Sequence, residues 1–146
     1  YETVVLCIPA QTGGKQTMQI HQSAEDYLET ILMLSQRMGK VRSIDVVNEL
    51  GFTKASVSIA MKKLRENGYI AVDGEGNLTL LEPGLEIAQR IYSRHQLLTH
   101  FFVQLGVDEQ TAAEDACKAE HILSEQTLEK IRESALRNDA AHPQAK

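Results

Sequence analysis

Cys117, Glu120 and His121 stand at positions i, i+3 and i+4, so on a helix all three side chains leave from one face. A thiolate, a carboxylate and an imidazole together make a donor set for a first-row transition metal, unlike the all-oxygen calcium loop or the closed zinc finger. Asp26 and Glu29, at i and i+3, give an earlier segment a two-carboxylate face, and His95 falls in a third segment that is otherwise apolar and basic. Each has a plainer reading. Asp26 suits the positive end of a helix dipole, Cys117 a small buried hydrophobe, and His95, spaced among Ile91, Leu98 and Phe101, a satisfied core residue. Spacing alone does not bring three segments together.

A second chemistry is written in the charge pattern. The net charge is −5, yet residues 37–65 hold seven basic side chains (Arg37, Lys40, Arg42, Lys54, Lys62, Lys63, Arg65) against two acidic ones, Asp45 and Glu49. One segment is thus suited to phosphates, while the acidic remainder is suited to cations. Thr53, Lys54, Ala55, Ser56 and Ser58 offer small or hydrogen-bonding groups in the first turns of a helix, where base edges are read. Arg42, Lys62 and Lys63 supply flanking cations for the backbone. A surface-charged helical hairpin with no nucleic-acid role is the plainer alternative.

The elements that would position these groups follow from periodicity and punctuation. Ser23 with Asp26 reads as the start of a first helix through Tyr27, Leu28, Ile31, Leu32 and Leu34 to Gly39. Ser43 caps a short second helix, Ile44 to Leu50, with Ile44, Val47 and Leu50 inward and Gly51 as its stop. Thr53 caps a third, Lys54 to Asn67, with Val57, Ala60, Met61 and Leu64 inward. Two helices joined by a short glycine-containing turn form a helix-turn-helix. The runs Tyr69–Val72 and Asn77–Leu81 flank Asp73-Gly74-Glu75-Gly76 and predict a hairpin, hence a wing. Pro83 opens a long helix to about Leu105, Asp108 begins another to about Leu123, and Ser124 with Thr127 precedes a last one.

These readings predict a mainly α chain in two parts. A flexible leader covers residues 1–20, a winged helix-turn-helix residues 21–82, a helical metal-binding and dimerisation domain residues 83–137, and a frayed tail residues 138–146. Its 146 residues, 42% of them hydrophobic, suffice for a packed core without staples. Cys7 and Cys117 form no CxxC pair, which fits a reducing compartment, the cytoplasm. The longest apolar run, Val4 to Ala10, is too short to cross a bilayer and lacks a basic flank, so no membrane role is expected. Glu120 and His121 could serve a metal-assisted hydrolase, but the HExxH, GxSxG and phosphate-cradling glycine motifs are absent. A winged-helix regulator sensing a small organic ligand is the other alternative.

Ser23-Ala24-Glu25-Asp26-Tyr27-Leu28-Glu29, Tyr92-Ser93-Arg94-His95, Gly106-Val107-Asp108 and Cys117-Lys118-Ala119-Glu120-His121-Ile122-Leu123-Ser124 occur together and in order. They resemble the diphtheria toxin repressor family of iron- and manganese-dependent regulators, over residues 23–136. The resemblance implies a two-domain repressor close to the manganese transport regulator branch. It implies one or two Fe²⁺ or Mn²⁺ ions per subunit, held by Asp26, Glu29, His95, Cys117, Glu120 and His121. Asp26 and Glu29 are similar to the manganese branch and Cys117 to the iron-sensing branch. Thr99 and Ala113 stand where the iron-sensing branch places ligands of an ancillary second site. The implied partners are a second copy, through Leu105, Ile122, Leu123, Leu128 and Ile131, and double-stranded DNA with a palindromic operator.

Overall fold

The computed structural model describes residues 16–143, and side chains from residue 22 onward. In chain order the elements are α1 (Gln16–Met38), β1 (Val41–Arg42), α2 (Ser43–Leu50), α3 (Lys54–Glu66), β2 (Ile70–Val72), β3 (Asn77–Leu80), α4 (Glu82–Gln104), α5 (Glu109–Ala119) and α6 (Glu125–Ala141). The mainly α expectation, with a small winged sheet, holds. The chain divides into two compact units, and the division falls inside α4, after Ile91.

In the first unit α2 and α3 form the helix-turn-helix. Gly51 ends α2 in the left-handed conformation, φ 69°, which glycine adopts without Cβ strain. Thr53 caps α3 by accepting from the Ser56 N–H at 3.1 Å. Leu28, Ile31 and Leu34 of α1 are fully buried together with Val41, Val46, Leu50, Val57 and Ile70, and each such side chain contributes about 1.5–3 kcal/mol. The sheet order is β1-β3-β2, all antiparallel, with Val41 opposite Leu78 and Ile70 opposite Leu80. Strand β1, absent from the periodicity reading, leads directly into α2, and its Arg42 N–H donates to the Asp45 carboxylate at 2.8 Å.

Several expectations need correction. Helix α1 begins at Gln16, so Ser23 and Asp26 lie inside it; Gln, Met and Ile upstream are adequate helix formers, and no breaker stops propagation. Of the predicted leader, residues 1–15 lie outside the described residues. On α2 the buried side chains are Val46 and Leu50, while Ile44 is exposed. Helix α5 stops at Ala119, four residues short of Leu123. At the C-terminus, α6 continues to Ala141. There Asn138 donates to Gln104 Oε1 at 3.2 Å, and Asp139 accepts from Gln104 Nε2 at 2.9 Å, which fixes residues that their polar composition marks as loose. Residues 144–146 lie outside the described residues.

Gly84, in the first turn of α4, has a role that its sequence context hides. A Cβ built there would lie 2.2 Å from the Tyr69 carbonyl oxygen, whose lone pair also accepts from the Leu81 N–H at 3.0 Å. The backbone therefore cannot retreat cheaply. Gly84→Ala is expected to destabilise the chain by about 2–3 kcal/mol, read as a lowered midpoint in chemical denaturation with an unchanged m-value.

In the second unit Leu98, Ala116 and Leu128 form the core, with Leu97, Phe102, Leu123 and Ile131 packed against it. Of the residues expected at a dimer surface, Leu128 is buried in this core, while Leu123 and Ile131 are partly buried against it. Leu105 and Ile122 remain 64% and 71% exposed, and Leu136 is exposed to a similar degree.

Candidate metal centre

Helix α5 is set by its cap. The Asp108 carboxylate accepts from the Thr111 N–H at 3.0 Å, and the hydrogen bonds from Thr111 hold that carboxyl below its ordinary pKa. About two and a half turns later the helix delivers Cys117, 8% exposed, against α4, where His95 is 7% exposed. Cys117 Sγ lies 3.6 Å from His95 Nδ1, and the same nitrogen lies 3.1 Å from Glu120 Oε2. Sulfur, nitrogen and oxygen donors therefore converge within 4.8 Å of one another.

Cys117 and Glu120 leave one helical face, as the i, i+3 spacing predicted: Glu120 keeps helical backbone angles, φ −58° and ψ −27°, and its N–H donates to the Ala116 carbonyl at 2.9 Å. Glu120 is the C-cap of α5 and His121 lies in the turn that follows, because the last helical turn gives way to the Ser124 cap of α6. Glu120 therefore meets His95 from the same flank of α5 as Cys117. It is 1% exposed. Its Oε1 accepts no hydrogen bond among the described residues; His121 Nε2 stands 3.3 Å away, at ion-pair distance but without hydrogen-bond geometry.

A buried carboxylate oxygen without a donor costs the desolvation of that atom, on the order of 1–3 kcal/mol or more for a charged group. A cation placed among Glu120, His95 and Cys117 removes that cost. Imidazole, thiolate and carboxylate fit a first-row divalent ion and match poorly with calcium or magnesium. The residues thus fit the metal that the resemblance implied. Ala113, buried on α5, is a methyl group and offers no ligand.

The carboxylates read on the first helix lie on α1, in the first unit, where Glu29 is 6% exposed and Asp26 is half-buried. Burial, and then the charge of Asp26, raise the Tyr27 hydroxyl above its ordinary pKa of 10.0.

On the nucleic-acid side, Lys54, Ala55, Ser56, Ser58, Lys62 and Lys63 are all exposed on α3, and Arg42 is exposed just before α2. They do not share one face. Ser56 and Lys63 line a groove of about 710 Å³ with Ile59 and Leu28, whereas Lys54, Ser58 and Lys62, four residues apart, run along another stripe. The Thr53 hydroxyl is engaged with the Ser56 hydroxyl at 2.9 Å, so its first role is the cap. Arg37, counted among the cations, forms a two-pronged pair with Glu49 at 2.8 Å and 3.3 Å, and Lys62 lies 3.9 Å from Glu66.

Sequence reasoning missed two residues with structural roles, one of them at this site. Arg94 donates to the Glu120 carbonyl oxygen at 3.1 Å, and its position beside His95 was the available signal. Gly84 had no signal beyond its place after Pro83.

Comparison with known proteins identifies the family. Residues 19–78 match the family profile "Iron dependent repressor, N-terminal DNA binding domain", and residues 81–142 match "Iron dependent repressor, metal binding and dimerisation domain". An uncharacterized HTH-type transcriptional regulator of Methanocaldococcus jannaschii is 37% identical over 113 residues, 76% of this chain and 90% of that one. The HTH-type transcriptional regulator MntR of Bacillus subtilis is 34% identical over 109 residues, 75% of this chain and 77% of its own length. A solved manganese-dependent transcriptional repressor in complex with manganese superposes with a TM-score of 0.69 at 28% identity. The match covers 77% of this chain and 52% of that one, so the chain spans about half the length of the solved protein.

Proposed function

Because the chain belongs to the iron-dependent repressor family, we propose that it represses transcription by binding double-stranded DNA when it holds Fe²⁺ or Mn²⁺, as a homodimer in the cytoplasm. The chain is a metal-dependent DNA-binding regulator of metal homeostasis, not an enzyme. The observation that carries this reading is the buried carboxylate of Glu120, one oxygen facing His95 and the other without a hydrogen bond.

His95, Cys117 and Glu120 are the proposed ligands, with His121 beside them, and the resemblance adds Asp26 and Glu29. A bound divalent cation supplies positive charge that neutralises the thiolate and carboxylates. Left to themselves, these anionic groups repel, each close like-charge contact being worth about 4 kcal/mol as an upper guide at an effective dielectric near 20. Relief of that repulsion is the differential free energy available for switching, and moving a two-state protein from almost all inactive to almost all active takes about 5.5 kcal/mol. Lys54, Ser58 and Lys62 are the proposed contact stripe on α3. A palindromic operator with half-sites about one duplex turn apart follows from a two-fold homodimer.

The test is an anaerobic binding titration with a duplex selected from a random-sequence pool in the presence of metal. Fe²⁺ or Mn²⁺ is expected to tighten binding at least tenfold, and a chelator to reverse it. Equal binding with and without either ion would remove the metal-sensing reading. Zinc binding by itself would not restore it.

A further inference from the structure

Two consecutive residues of α4 hold the same residue of the metal cluster. His95 Nδ1 meets the Glu120 side chain at 3.1 Å, and Arg94 Nη1 donates to the Glu120 main-chain oxygen at 3.1 Å. The other arm of the Arg94 guanidinium pairs with the Glu125 carboxylate in the first turn of α6. Arg94 is only 16% exposed, although Glu125 is 75% exposed, so the arginine is held in place rather than loosely solvated. Glu120 needs such a hold. It lies past the last residue of α5, where helical hydrogen bonding is ending and the carbonyls lack intrahelical partners. A cation at a helix C-terminus is favourable on both counts.

We propose that Arg94 is a positioning residue for the metal site: its planar fork ties the Glu120 carbonyl to the start of α6 and so fixes the direction of the Glu120 carboxylate toward His95 and Cys117. Lysine does not replace it, because an ammonium carries the charge without a rigid fork able to span two acceptors. The inference rests on the reading of His95, Cys117 and Glu120 as metal ligands. It differs from a purely structural staple in what it moves. A staple affects only the stability of the α5–α6 turn, whereas a positioning residue affects the geometry and affinity of the bound ion, as outer-shell partners generally do.

The experiment measures Mn²⁺ affinity, the thiolate-to-metal absorption band of the Co²⁺-loaded full chain, and the melting of the metal-free chain, for wild type, Arg94→Gln, Arg94→Lys, Glu125→Gln and His95→Ala. Arg94→Gln and Arg94→Lys are both expected to lose about 10–100-fold in Mn²⁺ affinity and to shift the cobalt band. Glu125→Gln, which frees one arm only, is expected to show a smaller loss and a shift in the same direction, and it carries the test if Arg94→Gln does not fold. Wild-type affinity and band position in the Arg94 variants, or full rescue by lysine, would overturn the inference. If His95→Ala has lost binding in the same series, the ligand reading survives that outcome. Should His95→Ala bind both ions normally, the ligand reading itself fails.

Discussion

Glu120→Gln is expected to make the metal-free chain more stable and, at the same time, to cut its metal affinity about a thousandfold. The two effects share one cause. Glu120 is 1% exposed; His95 Nδ1 stands 3.1 Å from one oxygen and His121 Nε2 3.3 Å from the other, which nonetheless makes no hydrogen bond. A neutral amide of the same shape avoids the desolvation cost of a buried carboxylate oxygen that lacks a hydrogen bond, on the order of 1–3 kcal/mol. The amide keeps a partner for His95 Nδ1 and sheds the charge. The same charge is what binds the ion, and a unit-charge contact near an effective dielectric of 20 is worth about 4 kcal/mol, or close to three decades. Thermal melts without metal and Mn²⁺ titrations on the same preparation check both halves. A variant that melts lower without metal and binds Mn²⁺ normally would show Glu120 to be an ordinary structural carboxylate.

The second large effect concerns DNA. Lys54→Ala combined with Lys62→Ala should lower affinity for any duplex about a hundredfold at low salt and flatten the slope of log affinity against log salt by about two, one for each phosphate deprived of its lysine. Lys63→Ala should do much less, because Lys63 lines the groove beside Ile59 and Leu28 while Lys62 lies on the Lys54–Ser58 stripe. Sequence alone ranks Lys62 and Lys63 equally. Binding isotherms at several salt concentrations separate them, and a greater loss from Lys63→Ala would place the DNA-facing side on the opposite flank of α3.

The legible features were those whose causes are local. Thr53 read as a cap and acts as one, and Asp108 and Ser124, read as helix starts, cap theirs, since an N-cap needs only one oxygen and an N–H three residues on; Ser43, also read as a cap, is instead the first residue of α2, behind Arg42. The winged helix-turn-helix followed in the same way from glycine stops and hairpin punctuation. What escaped depends on partners distant in sequence. Strand β1 exists because β3 pairs with it, and two residues carry no period. Ile44 was assigned to the core of α2, but Val46 and Leu50 are the residues that meet it; in so short a helix the apolar residues do not fix the face. The donor set was readable by residue type and its Cys117–Glu120 pair by spacing, since Glu120 keeps the helical backbone of α5; the arrival of His95 was not, because helix packing brings it there. Arg94 was invisible as a partner of Glu120 because its acceptor is a main-chain oxygen, and any residue type has one.

Strand β1 runs directly into α2, and β2 begins shortly after α3, where the Tyr69 N–H donates to the Leu64 carbonyl at 2.9 Å. Both ends of the helix pair are therefore sewn into a single sheet through β3. A reading head clamped at its entrance and its exit has no joint of its own. One base pair inserted within the bound stretch of duplex turns the rest by about a tenth of a revolution, and such a head cannot swivel to follow. Within the stretch read by one such head, tolerance for phasing errors must come from bending or twisting of the nucleic acid.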